Sequence, residues 1–174
     1  VVLTFDDGYA DNYIHAFPLL KRYNMKATIY IVTERFNRDW ATDKDTKISS
    51  DELNNEAMLS HEMVHEMVHS DLIDIGSHTM HHVNLPALSL EEKEQEIAKS
   101  KELIEKNYGI TCKSFAYPFG FYDEASIALV QKYGYSSAVT TVPKYSAWKE
   151  ENRYEVPRVI ISGRQSFFDF KLKI

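Results

Sequence analysis

The sequence predicts an α/β fold, a βα barrel that is closed or nearly closed. Three observations carry this. Short apolar runs alternate with helical segments along most of the chain, which implies parallel strands joined by right-handed crossovers. About six strand–helix units can be counted, too many for a small sandwich. The residues with the strongest chemistry follow the last residues of predicted strands, the edge at which such barrels carry their function.

Each element has its own signal. Val1 to Phe5 is a short apolar run and reads as a buried strand. Asn12 to Tyr23 reads as a helix with Ile14, Phe17, Leu19 and Leu20 on its inner side. Ala27 to Val32 is β-branched and apolar, a second strand. Arg38 to Ala57 is polar and charged without a clear period, a long loop or insertion. Leu59 to Asp71 is an amphipathic helix, and Leu72 to Gly76 a short strand. Leu90 to Tyr108 is a long helix with Ile97, Leu103 and Ile104 inward, stopped by Gly109. Phe115 to Tyr117 is a strand ending in Pro118-Phe119-Gly120. Asp123 to Tyr133 is a helix closed by Gly134. Ser136 to Thr140 and Glu155 to Ile160 are further strands.

The bulk properties narrow the classes. A chain of 174 residues fits one domain, and 44% hydrophobic residues suffice for a real core. A net charge of −6 argues against nucleic acid as the main partner, because phosphate binding wants a basic face. No stretch approaches a membrane span of roughly 20 apolar residues. The single cysteine, Cys112, excludes an internal disulfide and reads as a small buried hydrophobe. The chain begins at Val1, directly on an apolar strand and without Met. It is therefore expected to be a fragment truncated at its N-terminus, and the lack of a signal peptide says nothing about secretion.

The chemistry concentrates in two places. Leu3-Thr4-Phe5-Asp6-Asp7-Gly8 closes one strand with two adjacent carboxylates. His78-Thr79-Met80-His81-His82 follows another. One carboxylate and two imidazoles form a ligand set for zinc, iron, cobalt or manganese. Three protein ligands leave coordination positions for water and substrate, with a spare aspartate to act as base. The bland alternative for Asp6 and Asp7 is a turn or helix cap. His81 and His82 both neighbour the loop, so either is a candidate ligand. His15, in the first helix, reads as a packing or surface residue.

A competing motif is His61-Glu62-Met63-Val64-His65, a literal His-Glu-x-x-His metallopeptidase pattern. Leu59, Met63 and Met67 mark the apolar face of that helix. His61, His65 and His69 fall on the other side among Glu62 and Glu66, and read as a solvated polar face.

Three motifs, in order, resemble those of the polysaccharide deacetylases, the NodB-homology domain of carbohydrate esterase family 4. They are Thr4-Phe5-Asp6-Asp7-Gly8, His78-Thr79-Met80-His81-His82 and Phe115-Ala116-Tyr117-Pro118-Phe119-Gly120. The last form is similar to that of the poly-N-acetylglucosamine deacetylases. The resemblance implies a single domain over residues 1–174, a distorted, partial (β/α) barrel of the deacetylase type. It implies a metal-dependent hydrolase that removes acetyl groups from N-acetylglucosamine-containing polysaccharide of the cell wall or a biofilm, at the cell surface or outside the cell. Asp6 would be the general base. Asp7, His78 and His82 would hold a divalent metal, zinc first, with cobalt, nickel, iron or manganese as alternatives. Thr79 would brace the loop, and the Phe119 amide would donate to the oxyanion. Tyr117, Pro118, Phe119, Gly120 and Tyr122 would face the substrate. Tyr9, Trp40, Tyr145 and Trp148 are further candidates for a sugar groove or for the core.

Two departures from the family pattern matter. Ala116 stands where the family has an arginine that partners the base. Arg158 is the candidate replacement, its bland alternative being a surface ion pair. The Leu-x-His motif that supplies the acid is missing, and Gly163 to Ile174 holds no histidine. In the poly-N-acetylglucosamine branch that histidine lies upstream of the first motif on a permuted strand, so it is expected outside this chain. Two other functions remain open: an O-acetyl esterase on xylan-type polysaccharide, and a glycan-binding module without turnover, which need not retain Asp6.

Overall fold

The computed structural model describes residues 2–34, 56–141, 151 and 153–173. Strand β1 (Leu3–Phe5) leads through a π-helical turn (Asn12–Ala16) into helix α1 (Phe17–Tyr23) and strand β2 (Ala27–Ile31). Then come helix α2 (His61–His69), strand β3 (Ile73–Ser77) and helix α3 (Leu90–Tyr108). Strand β4 (Ser114–Ala116), helix α4 (Glu124–Lys132), strand β5 (Ser137–Val139) and helix α5 (Phe167–Lys173) follow. The five strands pair in parallel and in sequence order, β1-β2-β3-β4-β5. Each crossover carries a helix. With one hand of connection, the helices cover one face and the sheet curls around the other. Among the described residues no strand joins β5 back to β1, so the architecture is an open, curled half-barrel.

Local chemistry sets the element ends. Pro18 lies in the first turn of α1, where its missing N–H costs nothing, and Asn24 closes the helix with a left-handed φ of 49°. Ser89 and Glu92 form a reciprocal capping box at the start of α3, and Gly109 ends it at φ 66°. The Asp123 carboxylate accepts the Ser126 N–H at 2.8 Å and caps α4. Lys93 of α3 pairs with the same carboxylate, tying the two helices together.

Alternation along the strands builds two cores. Ile29, Ile31, Ile73, Ile75, Phe115 and Ala138 join Phe17, Leu20, Val64, Met67, Ile97, Ile104 and Val130 of the helices in the main core. Burial of each large side chain there stabilises the fold by ~1.5–3 kcal/mol. The intervening residues Tyr30, Ala116 and Val139 pack with Val156 in a second, smaller cluster inside the curl.

Three expectations need correction. Ile14 and Leu19 are exposed rather than inward. The π turn widens the helix before Phe17, so one 3.6-residue period does not run through residues 12–23. Glu155 to Ile160 is no strand. Val156 makes a single parallel bridge to Val139, and the next carbonyl beyond β5, that of Thr140, accepts the Arg158 side chain at 3.2 Å. Leu103 is only half-buried, while Ile97 and Ile104 are fully buried. Helix α5 has no counterpart in the sequence expectation, because its Phe167, Phe168 and Leu172 are exposed and mark no inner face. Most of the loop expected over Arg38 to Ala57, together with Trp40, Tyr145 and Trp148, lies outside the described residues.

Candidate active site

The end of β1 separates two adjacent carboxylates. After Phe5 the backbone turns through left-handed φ values at Asp7 (71°) and Gly8 (79°). Gly8 is needed for space as well, since a Cβ there would stand 3.0 Å from Ile31 Cγ2. Asp7 is thereby turned toward the histidines and Asp6 toward Arg158. Thr79 (67°), His82 (58°) and Phe119 (58°) also adopt left-handed φ. Such conformations cost about 1–3 kcal/mol each and persist only where surrounding structure over-determines them. Four strained non-glycine residues thus surround one cluster.

The metal-type group is Asp7, His78 and His82, whose ligand atoms all lie within 4.8 Å of one another. His78 follows β3, is 2% exposed, and its Nδ1 bonds to the Ala116 carbonyl at 2.7 Å. That bond turns Nε2 toward Asp7 Oδ1, at 3.4 Å. His82 Nε2 is also 3.4 Å from Asp7 Oδ1. The fully buried Thr79 hydroxyl accepts the His82 N–H at 3.0 Å. The donor set suits a divalent cation: two imidazole nitrogens and a carboxylate oxygen converge. Tetrahedral ligand bonds of ~2.0–2.1 Å place ligand atoms about 3.4 Å apart. Burial pushes the His78 imidazole down. The Asp7 and Asp6 carboxylates outweigh this and hold it above its ordinary value. The field that attracts that proton also attracts a metal ion.

Asp6 belongs to the other half. Its two oxygens accept from Arg158 Nη1 at 2.7 Å and Nη2 at 2.6 Å, a bidentate pair. Arg158 also donates to Thr4 Oγ1 at 3.0 Å and to the Thr140 carbonyl at 3.2 Å, and its guanidinium lies 5.6 Å from the Tyr30 ring centroid. Burial pushes Asp6 up, but the Arg158 hydrogen bonds and the charges of His78, His82 and Arg158 hold it below its ordinary value. Asp6 is therefore an anion with its lone pairs oriented. Tyr30 lies close over β3: a Cβ on Gly76 would stand 2.4 Å from Tyr30 Cδ1, so only glycine leaves that ring its place.

The third motif divides between core and surface. Tyr117 is fully buried, donates to the Tyr154 carbonyl at 3.1 Å, and stacks on Tyr122 at 4.8 Å. Pro118 and Gly120 are buried as well. The side chains of Tyr117 and Pro118 are thus core, not surface that a glycan could touch. Tyr122 is half-buried and donates to Glu155 at 2.9 Å. Phe119 packs edge-on against His82 with centroids 4.5 Å apart, and Phe121, 44% exposed, packs against Phe119 at 5.9 Å. An aromatic row therefore runs outward from the histidines. Phe121 was not among the sequence candidates, although its place one residue beyond the motif is a usable signal.

The remaining histidines lie elsewhere. His81 bonds through Nδ1 to Glu96 Oε1 at 2.7 Å and takes no part in the cluster. His61 and His65 both pack on Tyr108, with centroids 5.6 and 5.4 Å away, and His61 Nδ1 bonds to its hydroxyl at 3.0 Å. The expected polar face is largely solvated, with His61 and His69 exposed and His65 half-buried, and no metal-type group forms around them among the described residues. His69 Nδ1 bonds to the His65 carbonyl, and His15 is exposed.

Comparison with known proteins agrees with this arrangement. The sequence profile of the polysaccharide deacetylase family matches residues 1–138. A Bacillus subtilis (strain 168) protein, YxkH, itself assigned to that family by name, is 33% identical over 166 residues, covering 95% of this chain and 53% of the relative. The poly-β-1,6-N-acetyl-D-glucosamine N-deacetylase of Staphylococcus epidermidis is 28% identical over 174 residues, covering 94% of this chain and 55% of the relative. The chain thus spans about half the length of these relatives. Among solved structures, the Streptococcus pyogenes deacetylase PplD in complex with acetate superposes with a TM-score of 0.79 at 25% identity, covering 99% of this chain and 69% of that one. IcaB from Ammonifex degensii gives 0.78 at 25% identity, covering 94% and 68%. The half-barrel, the motifs on its rim and the profile match lead to one conclusion: the chain belongs to the polysaccharide deacetylase family.

Proposed function

We propose that the protein removes acetyl groups from N-acetylglucosamine-containing polysaccharide, at the cell surface or outside the cell, with a divalent metal held by Asp7, His78 and His82. The observation that carries the reading is the division of two adjacent carboxylates, Asp7 toward two imidazoles and Asp6 toward Arg158. Zinc is the first choice for this donor set, with cobalt, nickel, iron and manganese next. When bound, such a cation polarises an acetyl carbonyl and acidifies a water. Asp6, kept ionised by Arg158, accepts the proton of the attacking water. The Phe119 amide donates to the developing oxyanion. The aromatic row of Phe119 and Phe121 offers apolar faces to the CH faces of a sugar, with Tyr122 at its edge. Staphylococcal relatives named as poly-β-1,6-N-acetylglucosamine deacetylases support that polymer as the substrate class.

All seven histidines of the chain are described. Only His78 and His82 enter the cluster, so no third imidazole stands ready to protonate a leaving amine. An activated ester needs that proton far less than an amide does. The metal-loaded chain should therefore hydrolyse activated acetyl esters better than N-acetylglucosamine oligomers. The test is acetate and free-amine release from β-1,6- and β-1,4-linked N-acetylglucosamine oligomers, beside acetylated xylan and 4-nitrophenyl acetate. Amine release abolished in Asp6→Asn supports the reading. Acetate release from acetylated xylan with no amine release from any oligomer would favour the xylan-type esterase, and oligosaccharide binding with no turnover would favour a binding module.

A further inference from the structure

We infer that Glu96 is the positioning residue of the metal site, a buried carboxylate on α3 that holds the His78–His82 loop in its ligating shape before any metal arrives. The inference rests on the reading of Asp7, His78 and His82 as the metal ligands. Glu96 is 9% exposed. One oxygen, Oε2, accepts the backbone N–H groups of both Met80 and His81, at 2.9 and 3.0 Å. The other, Oε1, bonds to His81 Nδ1 at 2.7 Å. One side chain thus fixes the middle of a loop whose flanks, Thr79 and His82, both stand in left-handed backbone conformations.

The loop has few other ways to hold that shape. Thr79 Oγ1 caps the His82 N–H from within, and Thr33 N–H and Glu34 N–H reach the Thr79 and Met80 carbonyls from β2's exit. The two successive N–H groups in the middle are answered by Glu96. A carboxylate suits that position because one oxygen accepts two donors while the other stays free for a ring nitrogen. Its place on the helix explains its burial. Lys93, Glu96, Ile97, Ser100 and Ile104 lie on one buried stripe of α3, and Ser100 bonds to Ser77 at 2.7 Å, one residue before His78. The stripe that packs the core therefore also aims the loop. His78 is thus oriented through its ring by the Ala116 carbonyl, and His82 through the backbone of the loop that Thr79 and Glu96 hold. Such outer partners change metal affinity by roughly 10–100-fold when removed.

The test compares zinc affinity, by competition with a chromogenic chelator, with the thermal melt of the metal-free protein. Glu96→Leu keeps volume on the buried stripe and removes all three bonds. It should weaken zinc binding about 10-fold or more. Glu96→Gln keeps an oxygen for the two N–H groups and should recover most of the affinity. Ile104→Val, a packing change on the same helix, should lower the melt and leave zinc affinity alone. Glu96→Leu binding zinc as tightly as the wild type overturns the inference, and so does Ile104→Val weakening zinc equally. A second measurement needs no variant. Amide exchange of Met80 and His81 should be slow in the metal-free wild type, and fast exchange there overturns preorganisation even if Glu96→Leu does not fold. Asp7→Ala separates the two levels: if it binds zinc like the wild type, the ligand assignment itself has failed, not only the role of Glu96.

Discussion

The loop from His78 to His82 and the segment from Arg153 to Ile161 each bring charged or ligating groups to the same rim, yet they are built in opposite ways. The loop is enclosed. His78, Thr79 and His82 are buried, and bonds from β4, β2's exit and α3 converge on it. The Arg153–Ile161 segment belongs to no strand, bridges β5 at one residue, and ends in the exposed Val159, Ile160 and Ile161. Its first part is held by backbone bonds between Arg153 or Val156 and Ala138 or Thr140 and by the Tyr117, Tyr122 and Tyr154 hydroxyls. Beyond Pro157, Arg158 grips Asp6, Thr4 and the Thr140 carbonyl. The Asp7–His78–His82 half is positioned by packing around it. The Asp6 carboxylate is gripped on both oxygens by one side chain, Arg158. The two halves should therefore fail separately.

The largest effect should come from the enclosed half. Asp7→Ala and His78→Ala should each lose stoichiometric metal, measured by elemental analysis after dialysis, and lose turnover with it. His65→Ala, on α2, should keep full occupancy. Metal retained in both ligand variants would break the division at its root. Asp6→Asn should come next, with metal kept and amide turnover down by at least about 10²-fold, the scale of a lost general base. Wild-type turnover in that variant would remove Asp6 from the mechanism.

Arg158→Gln should have a smaller effect, and one that depends on pH. Burial raises Asp6 and Arg158 leads the groups that oppose it, so without the guanidinium its pKa should rise. The base works only when ionised. Activity is present above its pKa and lost as pH falls through it, so the acid limb of the kcat/KM profile should move to higher pH. An unmoved limb would mean that Arg158 does not set the ionisation of Asp6. The smallest effect should be that of Gly76→Ala. A Cβ there meets the Tyr30 ring, which lies against Arg158. Turnover should fall by less than in Arg158→Gln, with zinc affinity unchanged. A loss of zinc affinity would show that the halves are coupled through the sheet.

The parts of the site legible in the sequence are those that chemistry forces to be contiguous. Asp6-Asp7 and the His78–His82 run stand out because carboxylates and imidazoles rarely end apolar strands together. The fold was legible because its strands and helices alternate with the right periods. The helper residues were not. Tyr30 and Gly76 look like ordinary strand residues, and their meaning lies in a contact across the sheet that no local period encodes. Glu96 left a faint signal, a carboxylate in register with Ile97, Ser100 and Ile104 on a face that should have been apolar. Arg158 could be named only as a substitute for the arginine missing at Ala116. The strand drawn around it reduces to one bridge at Val156, and the Thr140 carbonyl beyond it accepts the Arg158 side chain.

The pairing of Asp6 with Arg158 spans 152 residues of sequence, from the first strand to beyond the last. A ribosome delivers Asp6 with the first strand and Arg158 only after all five strands have emerged. Contacts this distant in sequence carry a loop-closure cost that the sheet must largely meet beforehand. The histidine loop can already sit against α3 at that stage, because Glu96 follows His81 by 15 residues. Assembly thus has a built-in order: the metal-type cluster can form on a nascent chain, while Asp6 gains its cationic partner only after the fifth strand has emerged.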